Sequence, residues 1–134
     1  MPARILIVED EQIIAADLRN KLQRLGHEVI GIAIAGAEAI TMADQFKPDL
    51  VLMDVQLDGA MSGTEAARII QERTGAPIIF ITAFPGVFLR EPAYMQSPGI
   101  CLGKPFSRLQ IEAALSAALG KRSEAGGGNQ GRRA

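Results

Sequence analysis

Four short runs of unbroken apolar residues limit this chain's fold more than anything else in it. They are Ile5-Leu6-Ile7-Val8, Leu50-Val51-Leu52-Met53, Ile78-Ile79-Phe80-Ile81 and Ile100-Cys101-Leu102. Runs so short and so rich in branched side chains suit strands buried on both faces, as in a parallel sheet. Each run gives way to polar residues: Glu9-Asp10 after the first, Asp54 after the second, Thr82 after the third, and Gly103-Lys104 after the fourth.

The intervening segments read as helices. Ile14, Leu18, Leu22 and Leu25 form an apolar stripe at helical spacing, closed by Gly26. His27 then falls in a turn, as a solvated loop residue, before a short strand over Glu28 to Ala33. A second helix spans Ala37 to Phe46, with Ala39, Met42, Ala43 and Phe46 on one face and Pro48 as its stop. Ser62-Gly63-Thr64-Glu65 has the form of a capping box and opens a third helix to about Thr74. A fourth helix is expected between Val87 and Met95, interrupted by Pro92. Ser107 and Gln110 suggest a second capping box. The last helix runs from there to about Leu119, with Leu109, Ala113 and Leu115 among its apolar positions and Gly120 closing it. Residues 1–120 are thus expected to form one domain, and 121–134 a disordered, glycine-rich basic tail. Strand and helix alternate five times, which implies an α/β fold: a doubly wound parallel sheet with helices on both faces.

Composition narrows the function classes. The 134 residues carry a formal net charge of −1, which argues against nucleic acid or an anionic membrane as partner. The single cysteine, Cys101, excludes an internal disulfide, and the single histidine, His27, argues against an imidazole-based metal site. No apolar run approaches the roughly 20 residues needed to span a bilayer, and Met1-Pro2-Ala3-Arg4 leads straight into a strand. A cytoplasmic protein is expected.

Ligands of such sheets bind at the carboxyl ends of the strands. Glu9, Asp10, Asp54, Thr82 and Lys104 should therefore meet at one edge. Three carboxylates form a hard oxygen-donor set suited to Mg²⁺, and a backbone carbonyl just past Asp54 completes it. Lys104 supplies a point cation and Thr82 a hydroxyl, which together suit a phosphoryl group. A carboxylate can itself take that group as an acyl phosphate. No P-loop is present, so a nucleotide is not the expected donor. Blander readings stand beside this one. Asp54 alone fits a turn residue, and Glu9-Asp10-Glu11 fits an acidic first helical turn. The whole fits an interaction module that never uses phosphate. A Mg²⁺-dependent phosphohydrolase would need a further carboxylate where Gln56 stands.

Over about residues 3 to 119 the chain resembles the receiver domain of two-component response regulators. The resemblance rests on Ile5-Leu6-Ile7-Val8-Glu9-Asp10-Glu11, Leu52-Met53-Asp54-Val55-Gln56-Leu57, Ile81-Thr82-Ala83 and Lys104-Pro105-Phe106, in this order. It implies a flavodoxin-like strand order 2-1-3-4-5 and a phosphorylation-dependent signalling switch. Asp54 would be the phospho-acceptor, charged by a histidine kinase or histidine phosphotransfer protein. Asp10 would be a direct Mg²⁺ ligand, Glu9 an outer ligand through water, and the Gln56 carbonyl the backbone ligand. Thr82 and Lys104 would bind the phosphoryl group, as would the backbone N–H groups of Val55 and Ala83. No independent enzymatic substrate is expected; output should pass to an unidentified protein by contact, as in stand-alone receivers, or the chain is a fragment of something longer.

Two features depart from the family pattern. Cys101 stands where the family usually has Tyr or Phe, three residues before Lys104. It reads as a small buried hydrophobe rather than a redox sensor. Pro85 and Pro92 disturb the fourth helix, and Phe84 is a bulky neighbour able to screen an acyl phosphate from water.

Overall fold

The computed structural model describes residues 2–57, 59–88, 90 and 99–126. Its elements in chain order are β1 (Arg4–Val8), α1 (Gln12–Arg24), β2 (Glu28–Ala33), α2 (Gly36–Phe46), β3 (Leu50–Asp54), α3 (Gly63–Thr74), β4 (Ile78–Thr82), α4 (Pro85–Phe88), β5 (Ile100–Gly103) and α5 (Arg108–Gly126). All strand pairs are parallel, and the sheet order is β2-β1-β3-β4-β5.

Inside the unbroken apolar runs hides a period of two, because successive strand side chains point to opposite faces. Ile5, Ile7, Leu50, Leu52, Ile79 and Ile81 pack on one face with Leu18 and Leu22 of α1 and Ile111, Ala114, Leu115 and Ala118 of α5. Leu6, Val8, Val51, Met53, Ile78 and Phe80 pack on the other with Ala39 and Ala43 of α2 and Ala66, Ala67 and Ile70 of α3. Both faces are covered, so every position in β3 and β4 is buried. β2 and β5 are the edge strands, and most of their residues are only half-buried.

The caps work as their residues dictate. Ser62 Oγ accepts the Glu65 N–H at 3.2 Å. At α5 both halves of the box form: Gln110 Oε1 accepts the Ser107 N–H at 2.8 Å, and Ser107 Oγ accepts the Gln110 N–H at 3.2 Å. Lys47, which precedes Pro48, is barred from the right-handed helical region; it takes φ 50° and ends α2.

Several expectations change. The inward face of α5 is Ile111, Ala114, Leu115 and Ala118, while Leu109 is 74% exposed and Ala113 is also outside. The cap puts Arg108 at the first helical position, and the 3.6-residue period from Ile111 then turns Leu109 outward. Phe46, the last residue of α2, is 38% exposed. The backbone of α5 continues past Gly120 to Gly126; one glycine costs only about 1 kcal/mol in a helix, and Lys, Arg, Glu and Ala follow. Residues 127–134 of the expected tail lie outside the described residues. So does most of the expected fourth helix: only Pro85–Phe88 is helical there, and residues 89 and 91–98 are not described. His27 is not a free loop residue. Its Nδ1 accepts the Ala3 N–H at 3.0 Å, tying the α1–β2 turn to the start of β1.

Candidate functional site

The carboxyl edge of the sheet gathers the charged groups. β1 runs into Glu9, whose N–H donates to the Ala33 carbonyl at 2.9 Å. β3 ends on Asp54, and α3 begins so close above it that a Cβ on Gly63 would collide with the Asp54 carbonyl oxygen and lie 3.0 Å from Val55 Cα. Glycine is required there by space. Glu9 and Asp54 are 1% and 3% exposed, an unusual condition for carboxylates. Ligand oxygens of Glu9, Asp10 and Asp54 all lie within 4.8 Å of one another.

Backbone donors and one ammonium face this cluster. Asp54 Oδ1 accepts the Gln56 N–H at 3.0 Å, and Glu9 Oε2 accepts the Glu11 N–H at 3.2 Å. Lys104 Nζ stands 3.3 Å from Glu9 Oε1 and 3.6 Å from Asp54 Oδ2. The Lys104 backbone N–H donates to the Thr82 carbonyl at 2.8 Å, which fixes where the lysine leaves the sheet. Burial pushes the Glu9 carboxyl up to about 7, and the hydrogen bond and charge of Asp54 push the same way. Burial alone would lower the Lys104 ammonium, but Asp54 and Glu9 outweigh it and hold it above its usual range. Glu9 and Asp54 thus share the Lys104 ammonium, with the Asp10 carboxylate beside them. A hard divalent cation fits this donor set: it would compensate the buried carboxylate charge, and every side-chain ligand on offer is an oxygen.

The hydroxyl side is arranged differently. Thr82 is 2% exposed. Its Oγ1 accepts the N–H of Phe84 at 3.1 Å, so the hydroxyl turns into its own loop. The pleat explains why. Asp54 shares a face with Leu52, whereas Thr82 shares one with Phe80. Ala83 is exposed at the mouth of the loop and Gln56 at the rim. The Val55 N–H donates to the Ile81 carbonyl at 3.0 Å, in the β3–β4 ladder. The donor that faces the Asp54 carboxylate is Gln56 N–H, one residue on. An Asp or Thr side chain that accepts the N–H two residues later is a recurrent turn; that rule, applied to Asp54 and Thr82, points to Gln56 and Phe84. Cys101 is half-buried beside Phe80, its partner in the β4–β5 register, and burial pushes its thiol up.

Next to Lys104 runs a groove of about 490 Å³ between α1 and the β5–α5 loop, lined by Ile13, Ile14, Asp17, Lys21, Pro105 and Phe106. Ile13 is 86% exposed in it, and the Lys21 ammonium lies 5.9 Å from the Phe106 ring centre.

Comparison with known proteins gives this edge its setting. The chain is 40% identical over 124 residues to the phyllosphere-induced regulator PhyR of Methylorubrum extorquens, covering 89% of this chain and 44% of that one. The solved anti-anti-sigma factor PhyR from Bartonella quintana superposes with a TM-score of 0.84 at 37% identity, over 96% of this chain and 51% of that one. A solved receiver domain of the sensor histidine kinase PA1611 from Pseudomonas aeruginosa holds a magnesium ion in its active site cleft. It matches at 29% identity with a TM-score of 0.80, over 90% of this chain and 99% of that one. The chain spans about half the length of the curated relatives it matches. The profile of the response regulator receiver domain matches residues 5–116, the stretch from the first buried strand to the last helix that covers it. With that match, the strand order and the acidic edge in agreement, the chain belongs to the receiver domain family of two-component response regulators.

Proposed function

We propose that this receiver domain is a phosphorylation-dependent switch whose acceptor is Asp54. The observation that carries the reading is the Asp54 carboxylate itself: almost fully buried, within reach of Glu9 and Asp10, and faced by Lys104 Nζ at 3.6 Å. A purely structural role accounts poorly for three crowded carboxylates at a strand edge. In the transfer step an Asp54 carboxylate oxygen donates its lone pair to phosphorus. The P–N bond of a phosphohistidine breaks, and its electron pair leaves with the imidazole nitrogen, which takes up a proton. The donor is a histidine kinase or a histidine phosphotransfer protein. Lys104 holds a product oxygen as a point charge, and the Gln56 N–H stands ready to hold another.

Glu9, Asp10, Asp54 and the Gln56 carbonyl would hold Mg²⁺, which supplies charge neutralisation between carboxylate and incoming phosphoryl oxygens. The groove beside Lys104, apolar and open, suits the helix that carries the donor histidine. The domain acts as an acceptor, not as an enzyme on a separate substrate, and works in the cytoplasm. Output passes by protein contact. The likeness to PhyR, one relative being described as an anti-anti-sigma factor, makes an anti-sigma factor the first partner to try.

Intact mass after incubation with acetyl phosphate and Mg²⁺ tests the acceptor. One added phosphoryl group is expected in the wild type and none in Asp54→Asn or without Mg²⁺. No gain in the wild type would leave a phosphate-independent interaction module. A gain that persists in Asp54→Asn would show the acceptor to be another residue.

A further inference from the structure

We infer that Met61 is a positioning residue for the metal site: seated on Gly36 at the start of α2, it sets the backbone path that carries the Gln56 carbonyl toward Glu9 and Asp10. The inference rests on the reading above, in which Gln56 supplies a backbone ligand, and deepens it. A backbone carbonyl has no rotamer to adjust, so only the path of its chain can place it. The candidate ligands come from two loops: Glu9 and Asp10 follow β1, whereas Asp54 and Gln56 lie at the end of β3. Some contact has to hold those loops in register.

Met61 makes that contact. On the strand side the second loop is fixed by the Val55 N–H, which the Ile81 carbonyl accepts, and Val55 and Leu57 pack against the core. The chain bends at Gly59, which takes φ 110°. It returns to the core at Met61, just before Ser62 caps α3. Met61 is half-buried, and its side chain lies against the first residue of α2. A Cβ built on Gly36 would stand 3.1 Å from both Cγ and Sδ of Met61, and 3.2 Å from Ala66 Cβ. The side chain that Gly36 lacks leaves the space that the thioether fills, and an unbranched chain suits so irregular a gap. The seat is itself tied to the first loop. Three residues before Gly36, the Ala33 carbonyl accepts the Glu9 N–H at 2.9 Å. Glu38 Oε1 accepts the Ile34 N–H at 2.7 Å, which closes the turn into α2. Glu9, Ala33, Gly36, Met61 and Gln56 are therefore linked in one frame around the acidic corner.

Two readouts on the full chain test this: Mg²⁺ affinity by NMR titration, and exchange of the Gln56 amide with water in the metal-free protein. Met61→Ala should raise the Mg²⁺ dissociation constant about tenfold, the scale on which groups that hold a ligand in place act on metal affinity. It should also speed Gln56 exchange, because the bond from that N–H to Asp54 Oδ1 depends on the same backbone path. Met61→Leu, of similar volume, should return both close to wild type. Gly36→Ala should weaken Mg²⁺ binding by crowding the seat. Gly36→Ala combined with Met61→Ala should bind no more weakly than the worse single variant, because both act through one contact. Ile70→Val, in the same core cluster but two turns into α3, is the control for lost stability alone and should leave the dissociation constant unchanged. An unchanged Mg²⁺ affinity in Met61→Ala, or an equal loss in Ile70→Val, would overturn the inference and leave Met61 as core filling. Absence of Mg²⁺ binding to the wild type would overturn the reading of the site itself, whereas unchanged Gln56 exchange in Met61→Ala would overturn the positioning alone.

Discussion

Two corners meet at the carboxyl edge of the sheet, and they are built on different terms. The acidic corner, from β1, β3 and the start of α3, is already assembled: Glu9, Asp10 and Asp54 converge, Lys104 faces them, and backbone N–H groups occupy one oxygen of Glu9 and one of Asp54. In the hydroxyl corner, from β4 and its loop, Thr82 Oγ1 accepts the Phe84 N–H. The acidic corner bears the cost of its burial first and of the nearness of Asp54 second, visible in the raised Glu9 carboxyl. The hydroxyl corner bears no such cost at rest.

The largest effect should come from attacking the acidic corner through its backbone. Gly63→Ala puts a methyl group against the Asp54 carbonyl and Val55 Cα, neither of which has a flexible end to give way. Overpacking of this kind costs on the order of 3 kcal/mol. Urea unfolding should show a lower midpoint at unchanged slope. A midpoint equal to wild type would mean that α3 is not seated on Asp54 as described. Next comes the metal. At a concentration of 100 times its dissociation constant, Mg²⁺ should stabilise the folded domain by about 2.7 kcal/mol. Asp54→Asn should lose most of that gain and Thr82→Val should keep it. Equal losses in the two variants would erase the distinction between the corners.

The distinction also follows what the sequence makes legible. The acidic corner is readable because its parts are short-range: an apolar run fixes the strand, and the next residue is the ligand. Even there, the choice of backbone donor depends on which N–H the β3–β4 ladder consumes, and the ladder takes Val55 and leaves Gln56. The hydroxyl corner is less legible because strand alternation decides where Thr82 points, and an unbroken apolar run conceals that alternation. Leu109 and Phe46 mislead for a related reason. An apolar residue near a helix end is turned in or out by the exact position of the cap, which spacing alone fixes only to within a residue or two. Pro92 marks a break in the helical pattern of the sequence, and residues 91–98 lie outside the described part of the structure.

The opposite edge of the sheet provides a control for both corners. His27 Nδ1 accepts the Ala3 N–H, a bond that a protonated imidazole cannot accept, and burial lowers the His27 pKa. A group whose folded pKa is depressed stabilises above its unfolded value, about 6.5 for histidine, and loses that contribution as pH falls through the folded value. His27→Ala should cost about 1 kcal/mol at pH 7.5. The gap between wild type and variant, measured by urea unfolding, should shrink steadily toward pH 5. Phosphorylation of Asp54 should not change with this variant. A gap that widens on acidification would mean that the imidazole is charged in the fold.

The smallest effect is the one that most sharply separates the corners. If an inward-swinging side chain at position 101 carried the response, removing atoms there would alter it. If it does not, Cys101 is a filler between Phe80 and the flanking Gly99 and Gly103. Cys101 is only half-buried and its thiol is held up by burial, so it has neither the volume of an anchor nor the thiolate character of a reactive group. Cys101→Ala should therefore cost less than about 1 kcal/mol, well under the 3–5 kcal/mol typical of emptying a buried aromatic site such as Phe80. The same variant should be phosphorylated by acetyl phosphate to the wild-type extent. Loss of that uptake with stability intact would tie the acidic corner to β5 and make position 101, small as it is, part of the route.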